Sequence, residues 1–91
     1  MQLKPEVLMI YPQGGKTLEV LHAIQVALFK KMDGGWMTQL MPNGKDIAIL
    51  IDCGEDRAKW GEIRDKVEKA TNKAIKNLGL DFESCPGIWK E

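Results

Sequence analysis

Gly14-Gly15-Lys16-Thr17 is the stretch of this sequence whose residue types come closest to known chemistry. A phosphate-binding loop reads G-x-x-x-x-G-K-[ST] between a strand and a helix. Its glycines let backbone N–H groups cradle phosphate, and its Lys reaches the terminal phosphates. Here Gly15-Lys16-Thr17 supplies the end of the pattern, but the first glycine would fall at position 10, which is Ile10. The loop is too short, and its first half is apolar. The expectation is therefore a turn at Gly14-Gly15 with Thr17 capping the helix that follows. A weaker reading keeps an anion at that helix N-terminus, where free N–H groups lie beside Lys16. Its candidate residues are Gly14, Gly15, Lys16, Thr17 and Lys45, with Lys73 and Lys76 expected at the same end of the molecule.

The acidic stretch Asp52-Cys53-Gly54-Glu55-Asp56 does not rescue a nucleotide site. In phosphate-loop enzymes the acid that holds Mg²⁺ lies on a strand parallel to the first, at the same end of the sheet. The strand before Asp52 is expected to run antiparallel to the first strand, which sends these carboxylates to the opposite end. Acids that open a helix complement its dipole, so Asp52, Glu55 and Asp56 are read as capping residues.

The remaining chemistry-bearing side chains are sparse. His22 is the sole histidine and falls inside a helical pattern, where a partly exposed helix residue is the simpler reading than a general base. Cys53 and Cys85 lack C-x-x-C spacing, and with one histidine they do not complete a zinc site without carboxylates. Each is read as a small buried residue; a reactive thiol at Cys53, near the start of the second helix, is the alternative. Lys66, Lys69, Lys73 and Lys76 are interleaved with Asp65 and Glu68, which suits a solvated helix face better than a nucleic-acid contact. The strand Lys45–Asp52 has no aromatic residue to stack a base. No catalytic residue, metal ligand or cofactor is assigned, and the sequence leans away from an enzyme.

The elements that must position these residues are legible from periodicity. Residues 6–11, between two prolines, hold the short unbroken apolar run Val7–Tyr11, suited to a central strand buried on both faces. From Thr17 to Asp33, Leu18, Leu21, Ile24, Leu28 and Met32 recur at helical spacing, widened by Val20, Ala23 and Ala27, and Gly34-Gly35 ends the helix. Residues 36–52 hold two β-like runs around Asn43-Gly44, the preferred dipeptide of a two-residue type I′ hairpin. That turn predicts Leu40 opposite Ile47, Thr38 opposite Ile49 and Trp36 opposite Ile51. Residues 55–78 form a second helix, with an Asp52…Glu55 capping box, favourable pairs at Glu55–Lys59, Glu62–Lys66 and Asp65–Lys69, and a Schellman close at Gly79 and Leu80. A fourth strand is expected from Leu80 to near Cys85, followed by a tail.

The order β-α-β-β-α-(β) predicts an α+β two-layer sandwich of the ferredoxin-like arrangement: an antiparallel sheet with two helices on one face. The first strand should lie between the third and fourth. Residues 1–91 are read as a single domain, with 81–91 a short edge strand plus tail. A two-layer fold leaves one sheet face to water, where polar residues should alternate with apolar ones. With Leu8, Ile10, Leu40, Ile47, Ile49 and Ile51 turned to the helices, the other face instead carries Val7, Met9, Tyr11, Met37, Gln39, Met41, Ala48 and Leu50. Such a surface fits a protein partner or a second copy of the chain, with an apolar small ligand as the lesser alternative, unless Trp89 and the tail fold over it or the register is shifted.

Composition agrees with a small interaction module, and a compact accessory or inhibitor protein fits that description. Thirteen basic residues balance thirteen acidic ones, so no global field attracts nucleic acid or anionic lipid. Hydrophobic content of 44% excludes a disordered chain. The N-terminal apolar run is shorter than the ~7–15 residues of a signal-peptide core, and no run reaches the ~18 that span a bilayer. The expected setting is cytoplasmic, without membrane contact.

Overall fold

A computed structural model describes residues 6–81 and 83–90. The elements are β1 (Glu6–Ile10), α1 (Thr17–Lys31), β2 (Trp36–Leu40), β3 (Ile47–Ile51), a 3-10 turn (Arg57–Lys59), α2 (Trp60–Asn77) and β4 (Gly87–Lys90). The four strands form one sheet in the order β2-β3-β1-β4, and every neighbouring pair is antiparallel. The apolar β1 strand thus lies inside the sheet, as its composition predicts. This is a small α+β fold with a four-stranded antiparallel sheet and two helices.

One sheet face supplies Leu8, Ile10, Ile47, Ile49 and Ile51 to the buried cluster. Val20, Ile24 and Leu28 of α1 and Val67, Ala70, Ala74 and Ile75 of α2 close over them. Each large aliphatic side chain buried there contributes about 1.5–3 kcal/mol. The apolar stripe of α2 faces this core, and its end is a full Schellman motif. Gly79 N–H donates to the Lys76 carbonyl at 2.9 Å and Leu80 N–H to the Ile75 carbonyl at 3.2 Å, with Gly79 at φ 76°.

Five local expectations are corrected. The hairpin keeps the expected pairs Trp36↔Ile51, Thr38↔Ile49 and Leu40↔Ile47, but its turn is not type I′. That turn needs positive φ at both central residues, and only Gly44 has it. Instead Met41 N–H donates to the Asp46 carbonyl, Gly44 N–H donates to the Met41 carbonyl, and Asn43 Oδ1 accepts from Lys45 and Asp46 N–H. Pro42, with its fixed φ, favours this wider loop.

The second correction concerns α1. Lys16, not Thr17, is its N-cap, and no side chain caps it. Thirdly, Thr17, Val20, Ile24 and Leu28 form its buried line, which rotates Leu18 out to 69% exposure.

Fourthly, α2 begins at Trp60 rather than at residue 55. Gly54 takes φ 72°, Asp52 Oδ1 accepts from Gly54 N–H, and Asp56 Oδ1 accepts from Ala58 N–H. Asp56 thus caps the 3-10 turn that leads into α2, as a carboxylate at a helix start is expected to, while Asp52 is held in its own turn and Glu55 stays outside the helix, so the Asp52…Glu55 box does not form. Asp65–Lys69 is formed at 3.0 Å on the exposed surface.

Lastly, the fourth strand lies later than expected, at Gly87–Lys90. Asp81 Oδ1 accepts from Glu83 and Ser84 N–H and from the Ser84 hydroxyl, which bends the chain into a turn. Phe82, part of the expected strand, lies outside the described residues.

Candidate functional site

The sheet face turned away from the helices is built by register. One row across the sheet is Ile88–Met9–Ala48–Gln39, and the next is Lys90–Val7–Leu50–Met37. Tyr11 and Met41 extend it past the strand ends and are half-buried. Thr38, on the opposite face, accepts a hydrogen bond from Gln25 Nε2 of α1 at 2.9 Å, which fixes Met37 and Gln39 outward.

Exposure across this face is graded. Met37 on edge strand β2 is 60% exposed and Ile88 on edge strand β4 is 53% exposed. Met9, between Ile88 and Ala48 on the central strand, keeps only 8% exposure yet stands apart from the core cluster. Val7 and Leu50 are intermediate, and Gln39 is exposed.

Trp89 does not cover this face. It pairs with Leu8 and packs with the core on the helix side. Its Nε1 donates to the Glu68 carboxylate, and the Arg64 guanidinium carbon lies 4.5 Å from its ring centroid. The expected alternative, a tail folded over the sheet, is replaced by a strand that adds Ile88 and Lys90 to the open face. The alternation in Gly87-Ile88-Trp89-Lys90 was the signal for this, obscured by Pro86.

The anion candidates do come to one end of the molecule. The Thr17 hydroxyl donates to the Lys45 carbonyl at 2.8 Å, joining the start of α1 to the hairpin loop. That bond commits the hydroxyl, while Gly14, Gly15, Lys16 and Lys45 are exposed. Tyr11 N–H donates to the Pro86 carbonyl and Gln13 N–H to the Ser84 carbonyl, so the approach to Gly14 is zipped against the chain before β4. Asp52 N–H donates to the Gly35 carbonyl, at the other end of β3 from Lys45. The glycine-lysine loop and the acidic stretch are thus at opposite ends, as antiparallel β1 and β3 require.

Both cysteines are buried and free. Burial pushes the Cys85 thiol up to about 11. Cys53 is also raised, first by burial and then by the Glu6 carboxylate. Cys53 is not beside a helix N-terminus, because α2 starts at Trp60. His22 is exposed on α1. Among the described residues, no three His, Cys, Asp or Glu side chains gather as metal ligands, and no helix is long and apolar enough to cross a membrane.

Sequence periodicity missed a second apolar surface. Leu18, Val26 and Phe29 on α1 are exposed, Phe29 to 80%. The helix therefore carries apolar residues on both its core side and its outer side. The signal was available: three large apolar residues do not fit within one stripe with Val20, Ile24 and Leu28. Next to this ridge, α1 and α2 leave a groove of about 470 Å³, lined by alanines, Val26 and Leu78 with Lys30, Lys31 and Lys73 at its edges.

No protein-family model matches the sequence, and comparison with curated proteins and with solved structures yields no match.

Proposed function

We propose that this chain is a non-enzymatic interaction domain that docks a protein surface, first of all a second copy of itself, through the open sheet face. The observation that carries the reading is the pair of cross-sheet rows, in which Gln39 and Lys90 are the only polar members. Antiparallel sheets with one wet face ordinarily alternate apolar and polar residues. Met37 and Ile88 stand exposed at opposite edges of the face, so contact would begin on apolar side chains, of which Met37 is flexible and adapts to a partner. The ferredoxin-like class belongs to the same reading. The order β2-β3-β1-β4, read from the other edge, is β4-β1-β3-β2, with all neighbours antiparallel, and this supports it. Two buried free thiols suit a reducing compartment such as the cytoplasm.

Area sets the strength expected of the contact. Four strands ~4.8 Å apart and five residues at ~3.3 Å each cover a face of about 300 Å². That is the scale of a functional patch but falls below the ~800 Å² per partner of a standard stable interface. The dimer should therefore be weak and reversible.

Sedimentation equilibrium over rising protein concentration tests this. The wild-type mass should climb from one chain towards two, and Met37→Lys should hold it at one chain with an unchanged circular-dichroism spectrum. A wild-type mass fixed at one chain throughout, or a Met37→Lys protein that associates like wild type, removes the self-association reading.

A further inference from the structure

We propose that the groove between α1 and α2, on the opposite side of the molecule from the sheet face, takes an acidic amphipathic peptide segment of a partner protein. The proposal stands independently of self-association through the sheet.

The groove exists because the facing residues are small. Ala23 and Ala27 on α1 and Ala70 and Ala74 on α2, each pair one helical turn apart, line it together. Short side chains at these positions leave the outer seam between the helices open while the inner seam is filled by the core. The space, about 470 Å³, is within the roughly 300–1,000 Å³ typical of binding clefts.

Its charge is one-sided. Among the described residues that line it, Lys30, Lys31 and Lys73 carry charge and none is Asp or Glu. In a chain with equal numbers of acids and bases, a cleft whose described charged residues are all lysines is a local field of one sign. Low-dielectric walls focus such a field and select anionic partners.

Its shape points to a chain segment rather than a compact small molecule. A second concavity of about 350 Å³ lies on the far side of α1, lined by Gln25, Phe29 and Trp36. His22, Val26 and Lys30 belong to both. Spaced one turn apart, they form a ridge with a hollow on each side. A helix laid along α1 can seat apolar side chains at helical spacing in the hollows while its carboxylates meet the lysines. An anionic membrane is the competing occupant, since a helix with exposed Phe, Val and Leu near lysines can also lie in a lipid interface. The concave seam between two helices and its alanine floor favour the peptide, because a flat bilayer surface does not fill a groove.

The probe is a fluorescein-labelled synthetic peptide of Leu and Glu, with leucines at i, i+4 and i+7, followed by anisotropy. Its controls are the same peptide with Lys in place of Glu, and phosphatidylglycerol and phosphatidylcholine vesicles assayed by co-sedimentation. The Glu peptide should bind at least roughly tenfold tighter than the Lys peptide, with an affinity that falls as salt rises. The double substitution Lys30→Glu/Lys73→Glu should weaken the Glu peptide about tenfold and strengthen the Lys peptide. Val26→Ser, at an exposed position, should weaken both. The proposal is overturned by no saturation with the Glu peptide below about 1 mM, by equal affinity for the two peptides, by indifference to Lys30→Glu/Lys73→Glu, or by phosphatidylglycerol vesicles capturing the protein where the peptide does not.

Discussion

Cys85 is completely buried, and its thiol titrates at about 11 rather than the usual 9.0 because burial disfavours the thiolate. The two values put the thiolate fraction near neutral pH about 100-fold below that of an exposed cysteine. Iodoacetamide at pH 8 should therefore label Cys85 slowly in the native protein and rapidly in urea, and peptide mapping reads the difference. Native labelling at the unfolded rate would contradict the assigned burial. The same shift has a pH consequence. Below 9.0 the folded and unfolded states both hold the proton, so the full contribution is present. Between 9.0 and about 11 the unfolded chain ionises first, so stability falls as pH rises. At this scale the sequence was a good guide to what is inert: an isolated cysteine without C-x-x-C spacing or histidine partners is expected to be a small buried residue, and both are buried. It was a poor guide to hydrogen-bond partners. Thr17 opens a helix and so resembles a cap, yet its hydroxyl reaches Lys45, 28 positions along the chain; no local rule contains that contact.

The Thr17–Lys45 bond is also the polar tie between two elements, α1 and the β2-β3 loop. Thr17→Val keeps the side-chain shape and removes the donor at a buried position, so the Lys45 carbonyl loses this partner. The expected loss is about 1 kcal/mol, read as a lower urea midpoint with unchanged slope. A midpoint equal to wild type would mean that the loop is held by the strands alone. The strand register has its own source. Two-residue and four-residue loops centred between Asn43 and Gly44 produce the same pairings. The sequence could therefore predict Leu40↔Ile47 correctly while misjudging the turn type. β4 escaped for a physical reason too. Apolar-polar alternation ran through Leu80 to Ser84, but Asp81 has turn-forming partners immediately downstream that outcompete a ladder. Helix α1 shows the limit of stripe counting. Leu18 fits a stripe with Leu21 and Leu28, but the true buried line begins at Thr17, and a shift of one residue is enough to leave Leu18, Val26 and Phe29 outside.

Over the whole molecule, which measures 40 × 25 × 20 Å, the two layers each keep one face against which no described element packs. The sheet presents Met37 and Ile88 at its edges, and the helical layer presents Phe29 beside a lysine-edged groove. The core lies between them, so an occupant of one surface does not obstruct the other. This separation yields a crossed prediction. Met37→Lys should suppress self-association and leave Glu-peptide affinity within about twofold of wild type, since effects at distant sites with no shared partners add independently. Lys30→Glu/Lys73→Glu should do the reverse, weakening the peptide and leaving the sedimentation profile intact. The combined variant should lose both activities, each to the extent of its own parent. If Met37→Lys also abolished peptide binding while the protein remained folded, the groove would require the dimer. The two surfaces would then form a single coupled site, and the picture of a domain joining two partners back to back would be wrong. If instead Lys30→Glu/Lys73→Glu released the dimer, self-association would run through the helices, and the apolar rows of the sheet would need another occupant.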